Sequence, residues 1–185
     1  MLVIFLRMFC VSGLLFGTYR ALLTLLDGGS AGEAIGTFVS AGLFFGLFMG
    51  VAITALHWWR VKQAGLDPAT VSADVDVRER IRLPLPVDQA LELCRSAVRR
   101  VPGASDIRVN AAAATVEARV GMTLMNLGQR IECRVTPAGG TAEVSIRSRP
   151  SLRTAIIDYG KNHENVHRIR TQLLAHAHVP AAPQG

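Results

Sequence analysis

The most explicit chemistry in the chain is the run His163-Glu164-Asn165-Val166-His167. Two histidines four residues apart share a helix face and can bind zinc, with the glutamate between them acting as general base for a metal-bound water. Such a site needs a third protein ligand. No Asp or Glu follows Glu164, and the longer zinc pattern, which continues with Gly and His, meets Arg170 and Leu173 instead. His176 and His178 would lie roughly 14–17 Å along the same helix from His167, too far to share one ion. The expectation is a solvent-facing pair, His163 and His167, on a protein that is not an enzyme and carries no cofactor. A zinc hydrolase using Glu164 stands as the lowest-ranked alternative.

A second chemistry is electrostatic. Eighteen of the twenty basic residues are arginine and the net charge is +6. Arginine forks match phosphate and carboxylate geometry. The basic set Arg147, Arg149, Arg153, Lys161, Arg168 and Arg170 is the expected contact surface for anionic lipid headgroups or an acidic protein partner. Nucleic acid is not an expected partner, because single strands call for aromatic rings among the basic residues and Tyr159 is the only aromatic after Trp59. There is no phosphate-binding P-loop, dinucleotide glycine fingerprint, nucleophile elbow or Cys-x-x-Cys. Cys10, Cys94 and Cys133 do not form an even-numbered disulfide framework; Cys94 and Cys133 fall on apolar faces and are expected in the core.

The stretch Ser148-Arg149 followed by Asp158-x-Gly160-x-Asn162 and a basic helix resembles the C-terminal signature of a bacterial domain-of-unknown-function family, number 1499. The helix–strands–helix order from about residue 87 to 175 agrees with that resemblance. The family's acidic pair before the penultimate strand is replaced here by Leu127-Gly128-Gln129. The resemblance implies no activity. It does imply that Asp158, Gly160 and Asn162 shape the turn into the last helix, with Asp158 held by Arg147 or Arg149.

These residues need a scaffold, and the chain supplies two unlike parts. Residues 1–59 carry only Arg7, Arg20, Asp27 and Glu33 out of 34 charges, and mean hydropathy over the whole chain is +0.30. Residues 8–26 and 33–57 are each long and apolar enough to cross a hydrocarbon core of about 30 Å. They are expected to form a transmembrane hairpin spanning 1–59 that turns at Gly29–Ser30. In that register Gly17 faces Gly42, Gly13 faces Gly46 and Cys10 faces Gly50, the small-on-small packing that close helix approach in lipid requires. Arg20 shares the stripe of Gly13 and Gly17 and is expected on the packed face. Gly36, Gly42, Gly46, Gly50, Thr54 and His57 share a face of the second helix, so an oligomeric assembly or pore is the second-ranked function. The loop Asp27–Glu33 is acidic, whereas Arg60 and Lys62 follow the second arm. By the positive-inside rule both termini are then cytoplasmic, in a bacterial inner membrane.

Residues 60–73 are expected to connect to a cytoplasmic α+β domain over 74–178, followed by a disordered tail over 179–185. Alternation predicts strands over 74–85, 106–110 and 115–120. It also predicts a hairpin across Pro137-Ala138-Gly139-Gly140, with Arg134 opposite Glu143 and Cys133 opposite Val144. Helical spacing of Leu91, Cys94, Val98 and Val101 predicts a helix capped by Asp88, and a last helix runs over 159–177. The order is strand, helix, four strands, helix: an antiparallel sheet with its helices on one face.

Overall fold

The computed structural model describes residues 1–69, 71–72, 74–122, 128–152, 155 and 157–177; Arg153 and the tail over 179–185 lie outside the described residues. The chain separates into two compact units, Met1–Ala73 and Asp74–Gly185.

The first unit is a pair of helices, α1 (Leu2–Leu26) and α2 (Ala31–Gln63). At 25 and 33 residues they extend about 37 and 50 Å, and both are long and apolar enough to cross a membrane. Few of their side chains are buried, and Leu15 and Phe44 are about 70% exposed. The helix of a soluble core would instead bury such residues. Gly28, at φ +84°, ends α1. Ser30 starts α2 with a capping box: its Oγ accepts from Glu33 N and its own N–H donates to Glu33 Oε2. α2 ends in a Schellman motif at Gly65, with Leu66 N donating to Val61 O and Gly65 N to Lys62 O.

The glycines meet across the seam. A Cβ on Gly13 would sit 2.8 Å from Gly42 O, one on Gly17 2.7 Å from Phe38 O, and one on Gly46 2.7 Å from Phe9 O. The pairings of Gly13 with Gly46 and of Gly17 with Gly42 match the expected register. Two other expectations fail. Gly50 packs on Phe5, while Cys10 is exposed, and Arg20 is exposed and makes no ion pair among the described residues. Both corrections have one cause. The contact follows the every-fourth-residue ridge through Phe5, Phe9, Gly13 and Gly17, and each step along it turns about 40° around the helix. Cys10 and Arg20 leave the seam as it turns. Gly36 faces open space, and His57 is buried.

The second unit is α+β. Its elements are β1 (Val77–Leu83), α3 (Val87–Arg99), β2 (Ala104–Asn110), β3 (Thr115–Val120), β4 (Gln129–Ala138), β5 (Thr141–Pro150) and α4 (Lys161–Ala177). The strands form one antiparallel sheet in the order β1-β5-β4-β3-β2. Both helices pack on one face, over a core that includes Leu83, Cys94, Ile131, Ile146, Ile169 and Leu173.

The β4–β5 register differs from expectation. Arg134 lies opposite Ser145 and Cys133 opposite Ile146, because the two-residue turn is Gly139-Gly140, both at positive φ, and Pro137 belongs to the strand. A primed turn matches strand twist and needs positive φ at both positions. The shift is two residues, so the inward and outward faces are preserved. Asp88 is also not the cap of α3: Pro86 occupies that position, and Asp88 lies in the first turn.

Candidate functional site

Strand alternation that turns Ile131, Cys133, Ile146 and Ser148 inward turns their neighbours out onto the face opposite the helices. Pairing then lines those neighbours up in rows across the sheet. One row is Arg149, Arg130 and Arg119, on β5, β4 and β3, each directly opposite the next. The adjacent row runs Arg78, Arg147, Glu132, Glu117 and Arg108. Like charges facing each other across a ladder are destabilising, so the arrangement is costly to the fold and is not explained by it.

The ion pairs on this face are unevenly distributed. Arg147 Nε donates to Asp76 Oδ1 at 2.9 Å and Arg147 Nη2 to Asp76 Oδ2, a two-pronged clamp, with Arg78 also reaching Asp76 Oδ2 at 3.4 Å. Arg147 therefore holds the Asp76 carboxyl down at about 2, against the partial burial that raises it, and Asp76 in turn pushes Arg147 above its ordinary value. Arg134 pairs with Glu132 at 3.1 Å, and Glu143 lies 4.0 and 3.9 Å from Arg80 and Arg82. Arg119 is 3.9 Å from Asp106, which a bulge in β2 presents at φ +49°. Among the described residues the side chains of Arg108, Arg130, Arg149 and Glu117 have neither a hydrogen bond nor an ion pair. The rows enclose an open hollow of about 250 Å³ bounded by Arg119, Arg130, Arg149, Glu117 and Glu132. A second hollow of about 380 Å³ lies beyond Arg147.

The basic residues expected as one contact surface fall on two. Arg147 and Arg149 stand on the outer sheet face. Lys161, Arg168 and Arg170 stand on α4, which packs against the other face, and all three are engaged there. Glu164 takes Lys161 Nζ at 3.0 Å and Arg168 Nε at 2.9 Å. Arg170 Nε lies 2.6 Å from Glu79 Oε1, an ion pair with poor hydrogen-bond alignment. Arg119 and Arg130 were not in the expected set. Their outward phase was readable from alternation, but their alignment with Arg149 depends on pairing β3 with β4 and β4 with β5.

The His-Glu-x-x-His run lies on α4, with His163 half-buried and His167 exposed. Burial raises the Glu164 carboxyl, but Lys161 and Arg168 outweigh it and hold the group below its usual range. A general base needs the opposite shift. No group of three metal-ligating side chains occurs among the described residues. Cys94 and Cys133 are both fully buried; contact with the Cys94 thiol and burial push the Cys133 thiol well above the ordinary value.

Asp158, Gly160 and Asn162 form a structural clasp with Ser148. Asp158 accepts from Gly160 N at 3.1 Å and from Asn162 N at 2.8 Å, and Gly160 has φ +76°. Inside, Ser148 Oγ donates to Asn162 Oδ1 at 2.7 Å, Asn165 Nδ2 donates to Ser148 Oγ at 3.2 Å, and Asn162 Nδ2 donates to Val75 O at 2.8 Å. Arg147 holds Asp76 rather than the expected Asp158, because β5 alternation points Arg147 and Arg149 away from α4 and only Ser148 toward it.

No family model matches the chain, and no curated protein sequence does. Three of the solved structures that overlap it in part are the following. Ara h 8.0201 is 10% identical with a TM-score of 0.35, over 54% of this chain and 97% of that one. Ginseng major latex-like protein 151 from Panax ginseng is 11% identical with a TM-score of 0.36, over 58% and 100%. An 18 kDa protein from Caulobacter crescentus is 20% identical with a TM-score of 0.32, over 55% and 92%.

Proposed function

We propose that this is a membrane-anchored binding protein whose α+β domain docks on anionic lipid headgroups through the outer face of its sheet. The observation that carries this reading is the row Arg149–Arg130–Arg119, three like charges set side by side, two of them without a side-chain partner among the described residues. Guanidinium groups in that state are available to form forked, charge-assisted bonds with phosphate oxygens. The hairpin α1–α2 is the anchor, in an inner membrane with both termini on the cytoplasmic side, and Trp58, Trp59 and Lys62 mark its inner boundary. The segment from Ala64 to Asp76, at most roughly 45 Å when extended, keeps the domain near a bilayer surface. Anionic headgroups are concentrated there, so lipid is favoured over an acidic protein. On α2, Gly42, Gly46 and Gly50 all contact α1, which leaves the pore alternative without a free glycine seam.

The test is co-flotation of the full chain, held in phosphatidylcholine nanodiscs, with vesicles containing phosphatidylglycerol. Binding should rise with anionic lipid, fall with salt and be lost in Arg130→Glu/Arg149→Glu. Unchanged flotation of that variant would overturn the sheet face as the docking surface.

A further inference from the structure

Beside the arginine row lies a second like-charged pair. Glu117 and Glu132 face each other directly on β3 and β4, two residues along the strands from Arg119 and Arg130, a spacing of about 6.8 Å. Both pairs line the same hollow. Glu132 is shared with Arg134 at 3.1 Å, while Glu117 has no partner among the described residues and sits in register with Arg108. A simple anion entering here would relieve the arginine row and leave the carboxylate pair unrelieved. A simple cation would do the reverse. A ligand carrying both charges relieves both pairs at once.

We infer that the hollow recognises a phosphate ester bearing a primary amine, the phosphoethanolamine class of headgroup, with phosphate on Arg119, Arg130 and Arg149 and ammonium on Glu117 and Glu132. The inference rests on the docking face proposed above and adds the group that selects among phosphate-bearing lipids. The two-carbon bridge of ethanolamine suits adjacent rows of flexible side chains. A primary ammonium offers three N–H donors to two carboxylates, whereas a trimethylammonium offers none. Asp106 and Arg108 flank the rows with opposite charges, and Arg147 is retained by Asp76.

The experiment titrates the full chain in phosphatidylcholine nanodiscs with three soluble diesters, followed by NMR of the arginine Nε–H groups. Glycerophosphoethanolamine, glycerophosphocholine and glycerophosphoglycerol share one phosphate and differ only in the group it bears. The ethanolamine diester should bind about tenfold tighter than the other two, as expected for charge-assisted bonds gained. Glu117→Gln/Glu132→Gln should abolish that preference and leave phosphate binding, whereas Arg130→Gln should lose all three. Equal binding of the three diesters would overturn the amine recognition while the arginine docking face stands. Failure of all three to bind would overturn both. Flotation with phosphatidylethanolamine-containing vesicles decides the source: binding to the soluble diester but not to vesicles would keep the site and overturn the lipid as its occupant.

Discussion

Arg130 lies between Arg149 and Arg119, with no opposite charge bonded to it among the described residues, so replacing it should make the unliganded protein more stable and the binding worse. With guanidinium groups splayed to about 7 Å in high-dielectric surroundings, each like pair costs roughly 0.6 kcal/mol without salt and less than half of that at physiological ionic strength. Two such pairs give at most about 1 kcal/mol at low salt, because Asp106 beside Arg119 and Glu132 two residues along from Arg130 offset part of the repulsion. Arg130→Gln should therefore raise the melting temperature of the domain by a few degrees at low salt, with the gain shrinking as salt is added. Arg108→Gln is the matched control: Arg108 faces Glu117, an opposite charge, so its loss should lower the melting temperature slightly. The assay is thermal unfolding of the full chain in phosphatidylcholine nanodiscs across a salt series. An Arg130→Gln variant that is no more stable than the parent at low salt would refute the claim that the row is under electrostatic strain.

Other consequences follow from the same geometry. Gly46→Leu should break the hairpin, because even a Cβ there would press to 2.7 Å from Phe9 O; loss of proximity between labels on α1 and α2 would report it, with a cost of about 1–3 kcal/mol or more from overpacking. Ser148→Ala should destabilise the domain by roughly 2–4 kcal/mol in denaturant unfolding, since it strips a partner from both Asn162 and Asn165 in a buried site. Asp76 has its carboxyl depressed from 3.8 to about 2, so its pairing with Arg147 stabilises the fold above pH about 4, and that contribution is lost as pH falls toward about 2. Acid unfolding of Asp76→Asn should lack this component between pH 4 and 2.

The elements were legible in the chain because their patterns are local. Two long apolar runs, alternation in β1, β4 and β5, and the Asp158–Asn162 turn all announce themselves within a few residues. What was not legible depended on cross-chain geometry. Arg20 and Cys10 share an ideal helical stripe with Gly13, yet the seam follows a ridge that turns away from them. The β4–β5 register hinged on whether all of Pro137-Ala138-Gly139-Gly140 or only Gly139-Gly140 made the turn, and the shorter turn has positive φ at both positions. The basic residues near the C-terminus looked like one surface because they are close in sequence, but a strand and a helix on opposite sides of the sheet divide them. Arg119 and Arg130, far from Arg149 in the chain, join it only through strand pairing. Asn165, one of the two variable positions inside the His-Glu-x-x-His run, is a buried member of the Ser148 cluster.

The most direct test of the docking face is a contact map on lipid. The full chain would be reconstituted with phospholipid carrying a photoactivatable group at its phosphate end, irradiated and digested, and the adducts located by mass spectrometry. Adducts within the second unit should concentrate on the peptides of β3, β4 and β5 that carry Arg119, Arg130 and Arg149, and should vanish in Arg130→Glu/Arg149→Glu. Adducts concentrated instead on α4, around Lys161, Arg168 and Arg170, would contradict the account.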